Sequence, residues 1–258
     1  MEYSICLDSL GAGNDTTHFV QAMERVHAAG FPAFEFWGWW DRDLAEIRRA
    51  KERLGLSTAA FCARHGDLVD VRLHDRFLEG LKESIAAARV LDCPTLIVLS
   101  GQELPGVDRA RQHADLVAGL RRAAPLAEET GVTLVLEPLN TKVDHAGYYL
   151  ASSSEGFAVV DEVGSPNVKI LYDLYHMQIM EGDLVRTLTA NLSRIGHFHS
   201  AGNPGRNELT TGEIDYAHVF RAIETAGYAK FVGLEYFPSK DVDAGLREAQ
   251  ELIARSKG

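Results

Sequence analysis

The stretch VTLVLEPLN, residues 132–140, decides how the chain is read. An apolar, β-branched run ends on a single carboxylate, Glu137, followed at once by Pro138. Such a run reads as a strand buried on both faces, as in a parallel sheet covered by helices, and the proline stops it just past the acid. Three later segments repeat the plan: VKILYDLYH reaches Asp173, IGHFHSAG carries His199, and KFVGLEYF ends near Glu235. Each delivers one metal-competent side chain near the end of a strand.

Outward from this stretch, short apolar strands alternate with longer helical patterns. Strands are expected over residues 3–7, 33–37, 57–63 and 95–99, then the opening stretch, then 168–173, 195–200 and 230–236. Helical periodicity fills residues 16–30, 43–54, 75–91 and 108–130, the last kinked or reset near Pro125. It returns over residues 152–163, 183–191, 216–226 and 241–257. Eight strand–helix units without a linker read as one α/β domain over residues 1–258, a (β/α)8 TIM barrel. The open doubly wound sheet is the alternative, but Gly11-Ala12-Gly13 after the first strand opens no GxGxxG fingerprint.

A chain of 258 residues, 46% apolar and 24% charged, suits this architecture, since such barrels take about 250 residues. Acids outnumber bases, 37 against 26, for a net charge of −11. With no Lys/Arg-rich run, that balance argues against a nucleic-acid partner. Cys6, Cys62 and Cys93 stand far apart without CxxC spacing, which suits reduced thiols in a reducing compartment. The opening MEYSICLDSLGAG does not read as a signal peptide, and no window reaches the ~18 apolar residues of a membrane span. The expectation is a cytoplasmic protein with no membrane partner.

A parallel barrel places its active site at the carboxyl ends of its strands. Glu137, Asp173, His199 and Glu235 lie at such ends on four consecutive strands and are expected to meet around one divalent cation. Three carboxylates and an imidazole suit Mg²⁺ or Mn²⁺ and admit Co²⁺ or Zn²⁺. Without a cation the clustered acids would raise one another's pKa. Taken singly, each has a plainer reading. Glu235 would be a solvated strand-end acid and Asp173 a cap for the following turn. His199 would be an interior histidine, as His197 two residues earlier is expected to be. Their joint recurrence favours the metal site.

Around these four lie further candidates. His176, three residues past Asp173, is placed to donate to a substrate oxygen or to pack at a helix start. Arg206, in the NPGRNE turn, is placed to hold an anionic or polyhydroxy substrate, or else to pair with Glu208 or Glu213. Glu35, His65 and Lys142 also fall near strand ends, with plainer structural readings. Trp37, Trp39 and Trp40 form an aromatic cluster that suits either a pocket wall or a subunit contact.

The segments LEPLN, YDLYHMQIMEGDL, HFHSAGNPGRNE, TGEIDY and GYAKFVGLEYFP, in this order, resemble the hydroxypyruvate isomerases, members of the xylose-isomerase-like barrel superfamily. The resemblance is dense over residues 134–238 and thinner before them, where FEFWG matches. GNPGRNE followed by GEIDY is its most specific part. It implies a metal-dependent aldose–ketose type isomerase turning hydroxypyruvate into tartronate semialdehyde through an enediolate. By the resemblance, Glu137, Asp173, His199 and Glu235 take the metal-ligand positions shared with the related ketose 3-epimerases. Glu137 and Glu235 take the acid–base positions, and His176 and Arg206 the substrate-binding ones.

Two positions depart from the pattern. His199 stands where hydroxypyruvate isomerases tend to carry glutamine, and is more like the epimerases. Six residues after Glu137, where many 3-epimerases place an acidic substrate contact, this chain has Val143 with Asp144 beside it. A ketose 3-epimerase acting on tagatose, psicose or ribulose is therefore the alternative. More distant ones are an apurinic-site endonuclease, which needs a histidine-rich multi-metal cluster and a basic face, and a non-catalytic sugar-binding barrel. The expected partner is a small hydroxy-carbonyl or sugar molecule, and homo-oligomeric assembly stays open.

Overall fold

The computed structural model describes residues 1–257. Strands β1 (Glu2–Cys6), β2 (Ala33–Phe36), β3 (Ser57–Cys62) and β4 (Thr95–Val98) run parallel in chain order. They continue into β5 (Thr133–Leu136), β6 (Val168–Asp173), β7 (Ile195–Ser200) and β8 (Phe231–Leu234). β8 returns to β1, with Ser4 opposite Gly233, and the barrel closes. Closure leaves no unpaired strand edge, and right-handed crossovers put the helices outside.

The outer ring comprises α1 (Thr16–Ala28), α2 (Leu44–Leu54), α3 (His74–Leu91), α4 (Arg109–Thr130) and α5 (Ser153–Val163). It continues with α6 (Leu174–Met180), α7 (Leu184–Ala190), α8 (Tyr216–Thr225) and α9 (Val242–Ser256). Polar side chains at the helix starts fix their boundaries. Asp15, Asp43 and Ser152 accept backbone N–H groups at the starts of α1, α2 and α5, each cap worth about 1 kcal/mol. Gly55 and Gly131 end α2 and α4 in the left-handed conformation.

Two elements differ from the sequence expectation. α4 is one continuous helix with Pro125 inside it rather than two reset pieces, and Leu120, Ala123, Ala124 and Ala127 bury one of its faces. α6 follows β6 with no intervening loop, because Asp173 itself caps it. Its seven residues give periodicity too little length to be heard.

The large core lies between sheet and helices, with Phe19, Phe34, Phe36, Phe61 and Phe198 fully enclosed. Inside the barrel Ala60, Ile97, Val135 and Leu171 make a small separate apolar plug. Side chains two residues on point to the same face of a strand. The next inward positions after Val135 and Leu171 are therefore Glu137 and Asp173. On β7 and β8 the same parity brings His199 and Glu235 inward. The plug is thus followed, at the carboxyl ends, by a layer of acids and an imidazole.

Candidate functional site

Glu137 and Glu235 sit one residue past β5 and β8, yet the ladder still holds their backbones. Their N–H groups donate to the carbonyls of Val98 (3.1 Å) and Ser200 (3.0 Å). The Tyr148 hydroxyl donates to the Glu137 carbonyl (3.0 Å) and accepts from the Ser100 N–H (2.8 Å). Asp173 ends β6 and is the register partner of His199 on β7. One ligand atom from each of Glu137, Asp173, His199 and Glu235 lies within 4.8 Å of all the others.

The free valences face one another. Asp173 Oδ1 accepts from the backbone N–H groups of Tyr175 (2.7 Å) and His176 (3.2 Å), which leaves Oδ2 for the centre. His199 Nδ1 lies 3.7 Å from Glu137 Oε1 and 3.6 Å from Glu235 Oε2. Glu137 Oε1 and His199 Nδ1 are buried without a hydrogen-bond partner. Buried polar atoms are rarely left so, and orphans converging with two more acids fit a cation of the Mg²⁺, Mn²⁺ or Co²⁺ kind.

The electrostatics say the same. At an effective dielectric near 20, two charges ~4 Å apart repel by about 4 kcal/mol. His199 and Arg206 offset part of the charge of the three acids, and a proton takes up part of the rest. Burial, with Glu235 and Asp173 nearby, pushes the Glu137 carboxyl up to about 8, against the pull of His199. Burial pushes Glu235 the same way, but His199 and Arg206 outweigh it and hold this acid below the usual range. Trp37 Nε1 donates to Glu235 Oε1 (2.6 Å), and Arg206 Nη2 pairs with Oε2. For His199 burial favours the neutral ring, yet Glu35 and Glu235 prevail and raise its pKa well above the ordinary value.

Glu35, given a plain structural reading from sequence, lies directly behind this centre. Its Oε1 sits 3.1 Å from His199 Nε2, an ion pair rather than an aligned bond. Its Oε2 lies 2.9 Å from His197 Nε2 and accepts from Ser4 Oγ (3.0 Å). A carboxylate on the far nitrogen orients a ligating imidazole and raises its basicity. The space for it comes from Gly233, where a Cβ would collide with the Glu35 carboxylate. Gly233→Ala is therefore expected to cost about 1–3 kcal/mol by overpacking. In thermal unfolding it should lower Tm by several degrees, whereas an unchanged melt would show that Glu35 has room elsewhere.

A cavity of about 410 Å³ opens onto the cluster, bordered by Glu137, Glu235, Arg206 and His145 and walled by Trp37, Cys62, Leu99, Leu139 and Phe237. Arg206 turns to Glu235 rather than to Glu208 or Glu213. Its guanidinium stands 5.5 Å from the ring centres of both Tyr175 and Phe237. Glu208 instead accepts from Ser239. Trp37 forms wall and hydrogen bond, while Trp39 donates inward to Ser84 Oγ (3.1 Å) and Trp40 is exposed.

Lys142 and His65 are not brought to the centre. Lys142 Nζ donates to the Ile179 carbonyl (2.8 Å) at the end of α6, and His65 lies in the turn after β3, against Gly80 of α3. Asp144, next to the position of the missing acidic contact, is engaged by Asn140 (2.6 Å) and Tyr175 (2.9 Å). Sequence reasoning missed Asn140, His145 and Tyr148. All three lie within eleven residues of Glu137, in the loop that the proline begins.

The sequence pattern of the xylose isomerase-like TIM barrel family matches residues 23–256. The hydroxypyruvate isomerase of Escherichia coli strain K12 is 34% identical over 237 residues, 89% of this chain and 92% of that protein. The 2-oxo-tetronate isomerase of Cupriavidus necator is 34% identical over 245 residues, 92% of this chain and 94% of that one. A solved structure described as an AP endonuclease, family 2, from Brucella melitensis has a TM-score of 0.90 at 29% identity, covering 97% of this chain and 99% of that one. That of an L-ribulose 3-epimerase gives 0.86 at 25% identity, covering 99% and 94%. Among the described residues no helix is long and apolar enough to cross a membrane.

Proposed function

The chain belongs to the xylose isomerase-like TIM barrel family, and from that premise we propose that it is a metal-dependent isomerase of a short hydroxy-carbonyl acid, turning hydroxypyruvate into tartronate semialdehyde. The observation that carries this reading is the convergence of Glu137, Asp173, His199 and Glu235 within 4.8 Å beside a cavity. Relatives sharing 34% of its residues over about nine-tenths of the chain are isomerases of hydroxypyruvate and of 2-oxo-tetronate.

These four residues would hold a divalent cation, with Mg²⁺ or Mn²⁺ favoured by the oxygen-rich donor set. When bound, such a cation polarises a carbonyl with its neighbouring hydroxyl and acidifies the adjacent C–H. Glu137 is the freer carboxylate, with no hydrogen bond on Oε1, and it takes the proton from the hydroxymethyl carbon. The substrate becomes an enediolate. Glu235 is ionised and steadied by Trp37 and Arg206, so the proton that comes back to the former carbonyl carbon is the one Glu137 has taken, given back directly or by way of Glu235 across the same cavity. The hydroxyl proton passes to the former carbonyl oxygen, so the product is an isomer with no atom gained or lost. Arg206 Nε, buried and unpaired, is available to a substrate carboxylate.

A ketose 3-epimerase on the same residues is the second reading, supported by the imidazole ligand His199 and the likeness to L-ribulose 3-epimerase. Cleavage of abasic DNA, the activity named for the Brucella structure, is opposed by the net charge of −11. A panel of hydroxypyruvate, 2-oxo-tetronate, tagatose and ribulose, with chiral product analysis on metal-loaded protein, separates the readings. Tartronate semialdehyde is the expected product. C3 epimers from the ketoses with hydroxypyruvate untouched would replace the first reading by the second, and no turnover on any substrate would sink both.

A further inference from the structure

Beside the cluster, a chain of hydrogen bonds runs from backbone amides through one asparagine to His176, and its polarity can be read from end to end. Asn140 lies three residues past Glu137. Its Oδ1 accepts from the backbone N–H groups of Val143 and Asp144, both at 3.0 Å. Two backbone donors fix which end of the amide is oxygen. Nδ2 therefore faces the other way, where it donates to Asp144 Oδ2 (2.6 Å) and lies 2.7 Å from His176 Nδ1. The Asn140 backbone N–H points at the same ring nitrogen from 3.3 Å. Tyr175 OH donates to Asp144 Oδ2 (2.9 Å), so this carboxylate accepts throughout.

His176 Nδ1 thus meets two donors and must supply the lone pair. Its proton sits on Nε2. That atom is buried without a hydrogen-bond partner, and Asp173 Oδ2 lies 3.6 Å away. The ring is enclosed, with no exposed side-chain surface, and packs edge-on to His145 and Tyr175, each 5.3 Å between ring centres. This donor borders the cluster at Asp173, with no protein acceptor within hydrogen-bond range.

We propose that Asn140 is a positioning residue that locks His176 in the Nε2–H tautomer, so that a neutral imidazole presents a hydrogen-bond donor to a substrate oxygen. The proposal rests on the isomerase reading for the use of that donor, but the tautomer itself is independent of it. In the opposite tautomer an Nε2 lone pair would face the substrate oxygen's lone pairs, and the interaction would change sign. A neutral donor also leaves the proton transfer to the glutamates, since Nε2 gives a hydrogen bond without carrying charge into a cluster that already holds His199 and Arg206.

Asn140→Asp isolates this role. Aspartate keeps the acceptor for the amides of Val143 and Asp144 and replaces only the donor that faces His176. Because the new acid would stand against Asp144, the charge-conserving double variant Asn140→Asp with Asp144→Asn serves beside it. Long-range ¹H–¹⁵N spectra of the full chain, labelled on histidine nitrogen and loaded with Mg²⁺, read the tautomer directly. The wild type is expected to show His176 protonated on Nε2 alone, and both variants to carry a proton on Nδ1. kcat on hydroxypyruvate should fall about 10²-fold, with metal affinity unchanged. Protonation of Nδ1 in the wild type, an unshifted tautomer in both variants, or a shifted tautomer with undiminished kcat would each overturn the proposal. A wild type that turns over none of the substrate panel would instead overturn the isomerase reading, and the spectra would still decide whether Asn140 sets the tautomer.

Discussion

Glu137→Gln is expected to cut isomerase turnover by about 10²- to 10⁴-fold, the range lost with a positioned general base, and to leave the barrel folded. Glutamine matches the side chain in size but cannot accept a proton from carbon. It also imitates the state the metal-free site prefers, because the Glu137 carboxyl is pushed up to about 8 by burial and the neighbouring acids. The sign of the stability effect follows. Between the ordinary value of 4.5 and about 8 the folded wild type holds a proton that the unfolded chain has released, so this group's contribution declines as pH rises through that window. The variant has no such group. In EDTA the two proteins should therefore melt together near pH 5, with the variant increasingly the more stable toward pH 8. Differential scanning fluorimetry across that range, beside a coupled assay of turnover, checks both parts. Near-wild-type turnover would remove Glu137 from the proton path.

Removing the cation is the second large effect. Chelation is expected to abolish turnover, with Mn²⁺ or Mg²⁺ restoring it, and to lower Tm. A ligand at ~100 times its Kd stabilises the fold by about 2.7 kcal/mol, and at roughly 2–4 °C per kcal/mol for a chain of this size the shift is about 5–10 °C. The affinity should depend steeply on pH. In the metal-free site Glu137 retains a proton below about 8 and His199 is held protonated by Glu35 and Glu235. A ligating carboxylate and imidazole must release these protons. Each released proton weakens the apparent Kd about tenfold per unit that pH falls below the corresponding pKa. Calorimetry in buffers of different ionisation enthalpy counts the protons directly. A pH-independent Kd would mean that the cation binds elsewhere.

The plan of the barrel was legible because its signal is local. Each buried strand is a short apolar run closed by a proline, glycine or polar turn, and parity carries Val135 to Glu137 and Leu171 to Asp173. What the residues did not reveal depends on contacts across the barrel. Glu35 reaches His197 and His199 from more than 160 positions away, and only the smallness of Gly233 lets it do so. Trp37 meets Glu235 from 198 positions away. Arg206 had two acids within eight residues and chose a third just past β8, where ionic attraction and two aromatic faces coincide. Asp144 sat in sequence where a substrate contact could be sought, but Asn140 and Tyr175 consume it. Composition fixed none of these pairings, since each depends on loop geometry that periodicity does not encode.

The most direct test of a cation-assisted proton transfer between Glu137 and Glu235 is the fate of the hydroxymethyl protons of hydroxypyruvate. Protein loaded with one equivalent of Mg²⁺ in D₂O, followed by ¹H NMR, is expected to deplete the methylene signal and build up tartronate semialdehyde far faster than Glu137→Gln or chelated protein. A methylene signal decaying at the same rate with wild-type, variant and metal-free protein would contradict the account.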